Sequence, residues 1–265
     1  NLAHKTIFSA AIIRDSNLET CPGARTDQYE ILPQGKCLVQ LNGHEIAENT
    51  DEKEAIHIDN CFRPPDTGED TFVIIGAGAI QYRKGVDLFI QYAAAVKSSI
   101  GMNGRNIRFV WVGHGYDPEA DVAYSSYLRD QIQRSGLENE LCFAGELKNI
   151  DIAYEKADLM VVTSRLDPLP NVGIDAMYFG LPVLCFDNTT GIADILKNNH
   201  LGDECVAKYL DVDDMAKRTL PYVESCQHYQ GVSEKLREIA NDTFTMKSYV
   251  DRLEKIALSD KVDNR

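Results

Sequence analysis

From about residue 70 onward the chain alternates between short β-branched runs and stretches whose apolar residues recur at helical spacing. Residues 71–76 (TFVIIG) predict a buried strand. A helix is expected next over 85–100, where Val86, Phe89, Ile90, Ala93 and Val96 share one face. Residues 107–113 (IRFVWVG) predict a second strand, followed by a helix over 119–135 that ends before Gly136. The same reading gives strands at 140–145, 158–164 and 182–186, helices at 151–156, 172–179 and 192–197, and a sixth strand at 205–209. Residues 211–259 carry a polar-apolar helical pattern. Strands apolar on both faces and separated by helices predict a Rossmann-like α/β fold, a doubly wound parallel sheet with helices on both sides. In such a sheet the ligand cleft lies at the carboxyl ends of the strands, which directs attention to the loops near Gly78, Gly113, Gly145, Ser164 and Asp187.

The first 69 residues read differently. Residues 3–13 fit a helix or a strand, 31–35 (ILPQG) a strand ending in a turn, and 43–62 show no convincing period. Acidic residues gather in 45–70, as in a solvated connector. The expected organisation is a remnant of a preceding domain with its linker at 1–69, a Rossmann-like domain with carboxyl-terminal helices at 70–259 and a tail at 260–265. A first residue of Asn1 rather than Met fits an excised piece.

Composition narrows the function classes. Hydrophobic residues at 44% and charged residues at 26% describe a soluble globular chain, and no apolar run reaches the ~18–20 residues of a membrane span. A net charge of −14 leaves no basic footprint for nucleic acid. Cys21, Cys37, Cys61, Cys142, Cys185, Cys205 and Cys226 are odd in number and form no C-x-x-C pair, which points to a reducing, cytoplasmic setting. Cys142 and Cys185 fall inside strand patterns, where a thiol behaves as a small core hydrophobe.

Three segments offer chemistry. Residues 164–180 (SRLDPLPNVGIDAMYFG) run from a strand end through a proline-bearing loop into a helix, whose free N–H groups attract an anion. Asp167 lies in the loop and Asp175, eight positions on, in the first helical turn; either acid could cap the helix or accept hydrogen bonds from vicinal sugar hydroxyls. Residues 76–85 (GAGAIQYRKG) open like a dinucleotide fingerprint, but Gln81 stands where its third glycine or alanine belongs. The alternative is a loop closing on Lys84-Gly85 at a helix start, with the lysine placed as a point charge for phosphate. The acids at 211–214 invite a metal reading, but their position before a helical stretch is explained by capping and the helix dipole.

The 164–180 segment resembles the signature of family 4 glycosyltransferases, in which a serine, an acid three residues on, a short loop and a second acid eight positions further precede Ala-Met. Here these are Ser164, Asp167, Pro170-Asn171-Val172, Asp175, Ala176 and Met177, with aspartates in place of the usual glutamates. The 76–85 loop is similar to the family's phosphate clamp at Gly78, Lys84 and Gly85, but Ala79 stands in the arginine's place, with Arg83 nearby as a substitute. In register follow 111–115 with Gly113 and His114, 143–147, and 190–194. Residues 31–35 resemble the entry into the second domain, and Thr243 to Met246 with Tyr249 and Leu253 the last helix, which in this family returns to the first domain.

The resemblance, over residues 30–258, implies the C-terminal, donor-binding half of a GT-B fold and retaining transfer of a sugar from a nucleotide-diphosphate donor to an acceptor hydroxyl. It implies that Lys84 and the amides of Asn171 and Val172 hold the diphosphate, Asp175 the ribose and Asp167 the donor sugar. Backbone at Leu147 and Lys148 would meet the base, and no metal or other cofactor is expected. A glycan or lipid-linked acceptor, and any peripheral membrane contact, would come through the missing amino-terminal domain. The rival readings are another GT-B nucleotide-sugar enzyme, such as an epimerase, and a non-catalytic nucleotide-sugar-binding module.

Overall fold

A computed structural model describes residues 6–20, 29–35, 52–65, 67, 68, 70–100 and 106–259. Cys21, Cys37, residues 43–51 of the connector and the 260–265 tail lie outside the described residues. Two parallel sheets organise the rest. In the smaller one, β1 (Thr6–Phe8) pairs with β2 (Tyr29–Ile31). The larger contains β3 (Phe72–Ala77), β4 (Ile107–Val112), β5 (Leu141–Gly145), β6 (Leu159–Val162), β7 (Val183–Phe186) and β8 (Val206–Ala207), in the order β5-β4-β3-β6-β7-β8. The chain therefore builds outward from β3 in one direction and then returns to build outward from β6 in the other. The strand order reverses between β3 and β6, the point at which open α/β sheets hold their ligand crevice.

Every residue of β3, β6 and β7 is buried, as their unbroken apolar runs require when helices cover both faces. The expected face of the helix Val86–Ile100 is the observed one: Val86, Phe89, Ile90, Ala93 and Val96 are all fully buried. Phe89 meets Trp111 edge to face at 5.3 Å between centroids. A Cβ at Gly76 would lie 2.6 Å from the Trp111 ring, so glycine makes room for the indole in the middle of a strand.

Several expectations are corrected. The connector is not irregular throughout, because Glu52–Phe62 is a helix whose last turn buries Ile58, Cys61 and Phe62. Its polar ties to the main sheet are equally specific: Arg108, itself buried, donates to the Cys61 carbonyl at 2.7 Å, and the His57 Nε2 lies 2.8 Å from the Ala144 carbonyl. The helix expected over 119–135 begins later, at Tyr124. Asp121 causes the delay: its carboxylate accepts from the N–H groups of Ala123, Tyr124 and Ser125 at 2.8–3.1 Å, arresting the chain in a turn before helix can start. The sixth strand shrinks to Val206–Ala207, since Cys205 closes the short helix Gly202–Cys205. Cys185 and Cys205 are buried core thiols, whereas Cys142 lies half-buried with its Sγ 2.6 Å from that of Cys61, a pairing that spacing does not predict.

The carboxyl-terminal residues form the helices Val212–Glu224, Cys226–Thr243 and Met246–Ser259. The last reaches back to the amino-terminal segment, where a Cβ at Gly35 would lie 2.5 Å from that of Tyr249. Among the described residues no helix is long and apolar enough to cross a membrane.

Candidate functional site

The first wall of the crevice is the loop leaving β3. Gly78 has φ of 140° and Gly113, at the end of neighbouring β4, 148°, values that a side chain strongly disfavours. A Cβ on Gly113 would sit 2.1 Å from the Gly78 carbonyl oxygen, so the two loops touch backbone to backbone. Trp111 Nε1 donates to that same oxygen at 2.8 Å. The chain then makes a 3-10 turn, Tyr82–Lys84, closed by Gly85 in the left-handed conformation. Lys84 thus precedes the helix Val86–Ile100 rather than starting it, and its methylenes lie against the open side of Gly78, within 3.3 Å of where a Cβ would be.

The second wall leaves β6. Thr163 and Ser164 are buried, and the backbone N–H of Asp167 donates to the Thr189 carbonyl at 2.9 Å, anchoring the loop to the next strand's exit. With its backbone held on that side, the Asp167 carboxylate faces the first wall. Lys84 Nζ is 2.5 Å from its Oδ2, Arg83 Nη1 is 3.4 Å from its Oδ1, and Ser164 Oγ is 3.5 Å from Oδ2. Asp167 is only 7% exposed, and Arg83 also donates to the Leu166 carbonyl at 2.9 Å. Two cations from one turn therefore converge on one carboxylate more than 80 residues further along the chain. Ala79 carries no charge, and Arg83 shares the Asp167 carboxylate with Lys84.

Asn171–Phe179 is a helix with Pro170 at its N-cap and no side-chain cap. Neither acid caps it, which removes the capping alternative for both. Asp175 also lies in the second turn, not the first, because the helix begins at Asn171. The N–H groups of Asn171 and Val172 are at the positive end of the helix without an intrahelical acceptor. Gln34 Nε2 donates to Asn171 Oδ1 at 2.5 Å, bringing the amino-terminal segment to the mouth of the crevice. Beneath the helix, Tyr154 is buried, and its hydroxyl has no hydrogen-bond partner among the described residues. Burial, followed by the charges of Asp175 and Asp151, pushes that phenol well above its ordinary range.

Leu147 and Lys148 follow β5, two strands from β3, and so lie at the outer edge of the same rim rather than beside Lys84. The Lys148 N–H already donates to Glu54 at 2.9 Å, so backbone recognition there has to use Leu147, the Lys148 carbonyl, or an exchange of partners. His114 is a loop residue, 67% exposed at its side chain and 4.0 Å from Glu146. Asp187 pairs with Lys197 at 2.6 Å. Among the described residues no group of three or more His, Cys, Asp and Glu could hold a metal ion. Sequence reasoning missed Arg165, which sits inside the quoted signature and forms a two-pronged ion pair with Asp87. The signal was an arginine next to a strand end, a position too common to single out.

A six-stranded parallel sheet flanked by helices, with its strand order reversing between β3 and β6, is an α/β fold of the GT-B type, and comparison with known proteins identifies the family. The chain belongs to the glycosyl transferases group 1 family, whose model matches residues 58–239. Among curated relatives, it is 24% identical over 171 residues to the lipopolysaccharide core biosynthesis mannosyltransferase LpcC of Rhizobium leguminosarum bv. viciae, covering 61% of this chain and 46% of that one. It is also 24% identical over 186 residues to LpsB, another such mannosyltransferase, of Rhizobium meliloti, covering 69% and 48%. The chain thus spans about half the length of the curated relatives it matches. Among solved structures, Anabaena Alr3699/HepE in complex with UDP superposes with a TM-score of 0.74 at 18% identity, over 97% of this chain and 64% of that one. WaaG, a glycosyltransferase involved in lipopolysaccharide biosynthesis, gives 0.67 at 17%, over 95% and 62%. At these identities the likeness establishes the fold.

Proposed function

We propose that this chain is the donor-binding half of a retaining glycosyltransferase, and that the crevice between β3 and β6 takes a nucleotide-diphosphate sugar. The observation that carries this reading is the convergence of Lys84 and Arg83 on Asp167 at the strand-order switch, in a loop that leads into a helix with no side-chain cap. The leaving group of the reaction is a nucleoside diphosphate, so its developing charge is what the site must stabilise most. Lys84 and Arg83 supply two positive charges, and the N–H groups of Asn171 and Val172 supply donors that need no reorganisation. Asp167 then exchanges its cations for the phosphate and accepts hydrogen bonds from the donor sugar, while Asp175 accepts from the ribose. Gly78 and Gly113 let the two loops and the Lys84 stem pack closely, which sets where the lysine's charge stands, and the rim at Leu147 and Lys148 meets the base. Named relatives that act as mannosyltransferases, and a similar structure holding UDP, support a nucleotide-sugar donor. The acceptor hydroxyl, on a glycan or a lipid-linked sugar, is met by the part of the relatives that this chain does not span.

Calorimetric titration with UDP, GDP and ADP, alongside Asp175→Ala, tests the reading. One diphosphate should bind selectively, and the variant should lose it. Absence of binding to all three, by this chain and by the full-length protein, rejects the donor site. Saturable binding without transfer by the full-length protein would instead favour a non-catalytic module.

A further inference from the structure

The turn that presents Lys84 and Arg83 has an unusual support. Of its three residues none is buried, and Tyr82 is 63% exposed, so apolar burial does not hold it in place. Arg165, from the opposite wall, reaches both ends of it. Its Nη1 donates to the carbonyl of Tyr82, the first residue of the turn, at 2.8 Å, and to Asp87 Oδ1, in the helix that follows, at 2.8 Å. Its Nη2 donates to Asp87 Oδ2 at 2.6 Å, and the guanidinium carbon stands 3.8 Å from the centroid of the Tyr82 ring. The Arg165 N–H adds a bond of 2.8 Å to the Arg83 carbonyl, and Tyr124 donates its hydroxyl to Asp87 at 2.9 Å.

We propose that Arg165 is a positioning residue that staples the two ends of the Tyr82–Lys84 turn, holding the cation pair in register for a diphosphate. The proposal rests on the donor-site reading above. Geometry separates it from a phosphate ligand, because its fork is already committed to a carboxylate and a carbonyl. Only a planar guanidinium can pair both carboxylate oxygens, reach a carbonyl and lie flat on a ring together; a lysine ammonium is a point charge. The side chains of Arg165 and Asp87 are only 19% and 20% exposed, so water competes weakly for these bonds. Asp87 reports the same strength: burial raises its pKa, yet the hydrogen bonds from Arg165 and Tyr124 more than reverse this and leave it below the ordinary range.

Two measurements on the whole chain test this. The first needs no ligand: hydrogen exchange of the Lys84 and Gly85 amides, which close the turn onto Gln81 and Tyr82. Arg165→Ala should speed both by about tenfold or more and leave the β3 amides unchanged. The second compares UDP, GDP and ADP with their nucleosides. Arg165→Ala should weaken the bound diphosphate by about tenfold while nucleoside affinity holds; general damage would weaken both alike. Arg165→Lys should recover little of the loss, and Asp87→Asn, which leaves the arginine in place, should share it. Unchanged exchange, or equal losses for diphosphate and nucleoside, overturns the staple. Failure of both the unaltered chain and the full-length protein to bind any diphosphate overturns the donor-site reading, and with it the role given to the staple.

Discussion

Two groups of aspartates in this molecule look alike on paper and are used in opposite ways. At residues 211–214 the acids serve their own backbone: Asp211 is an N-cap whose carboxylate accepts from the Asp214 N–H at 2.9 Å. Asp214 accepts from the Lys208 N–H at 3.0 Å and from Arg218, one turn along, at 2.8 Å. Every partner lies within a few residues, so local chain geometry is sufficient. Asp167 is different. It caps nothing, and its helix start is left uncapped behind Pro170. Its charge is met instead by Lys84 and Arg83, brought across the crevice by the fold. Local partners suffice for the first group, whereas the charges around Asp167 come together only through the fold.

The contrast can be broken by mutation. Lys84→Ala should weaken diphosphate binding by ~1.5–3 kcal/mol, the loss of a charge-assisted bond, measured by calorimetry. An unchanged dissociation constant would remove the lysine from the site. At the 211–214 acids the expected effect falls on stability alone. Asp211→Ala should cost about 1 kcal/mol in denaturant unfolding, as loss of an N-cap does, with nucleotide affinity unaltered. Asp167→Asn sharpens the comparison from the other side. Removing the internal counter-ion frees both cations, so inorganic pyrophosphate should bind a few-fold more tightly, even though a sugar nucleotide loses a contact. A weaker pyrophosphate complex would mean that Asp167 organises the cations rather than competing for them.

The smallest effect is a dependence on pH. Burial pushes the Asp214 carboxyl up, but hydrogen bonds from Arg218 and the Lys208 N–H outweigh it and leave its pKa below the ordinary range. A depressed carboxylate contributes stability above its unfolded value, about 3.9, and that contribution is lost as pH falls through the lower folded value. Unfolding curves of the unaltered protein and Asp214→Asn should therefore separate at neutral pH and converge in acid. A gap that stays constant across that range would show that the carboxylate's charge contributes nothing.

Local pattern was legible wherever the side chains themselves dictate the backbone. The apolar runs that became β3, β6 and β7, the face of the helix Val86–Ile100, and the capping of the helix at Val212 all follow from periodicity and near-neighbour hydrogen bonds. The glycine and proline positions around the crevice were equally readable. Where the reading failed, the deciding contacts were remote or unusually local. The helix Glu52–Phe62 is held by Arg108 and Ala144, far along the chain, and the start at Tyr124 is delayed by a turn that Asp121 makes with its own backbone.

From its sequence alone this chain determines a parallel α/β sheet, its family signature and the residue types at the rim, because strands and helices answer to period and to steric rules acting over a few residues. Only the tertiary structure decided that Lys84 and Arg83 meet Asp167, that Asp175 falls in the second turn, and that Arg165 supports the turn instead of facing a ligand. The reason is physical. Charge pairing depends on distance in space, and strand order, which sequence periodicity does not encode, sets which loops become neighbours.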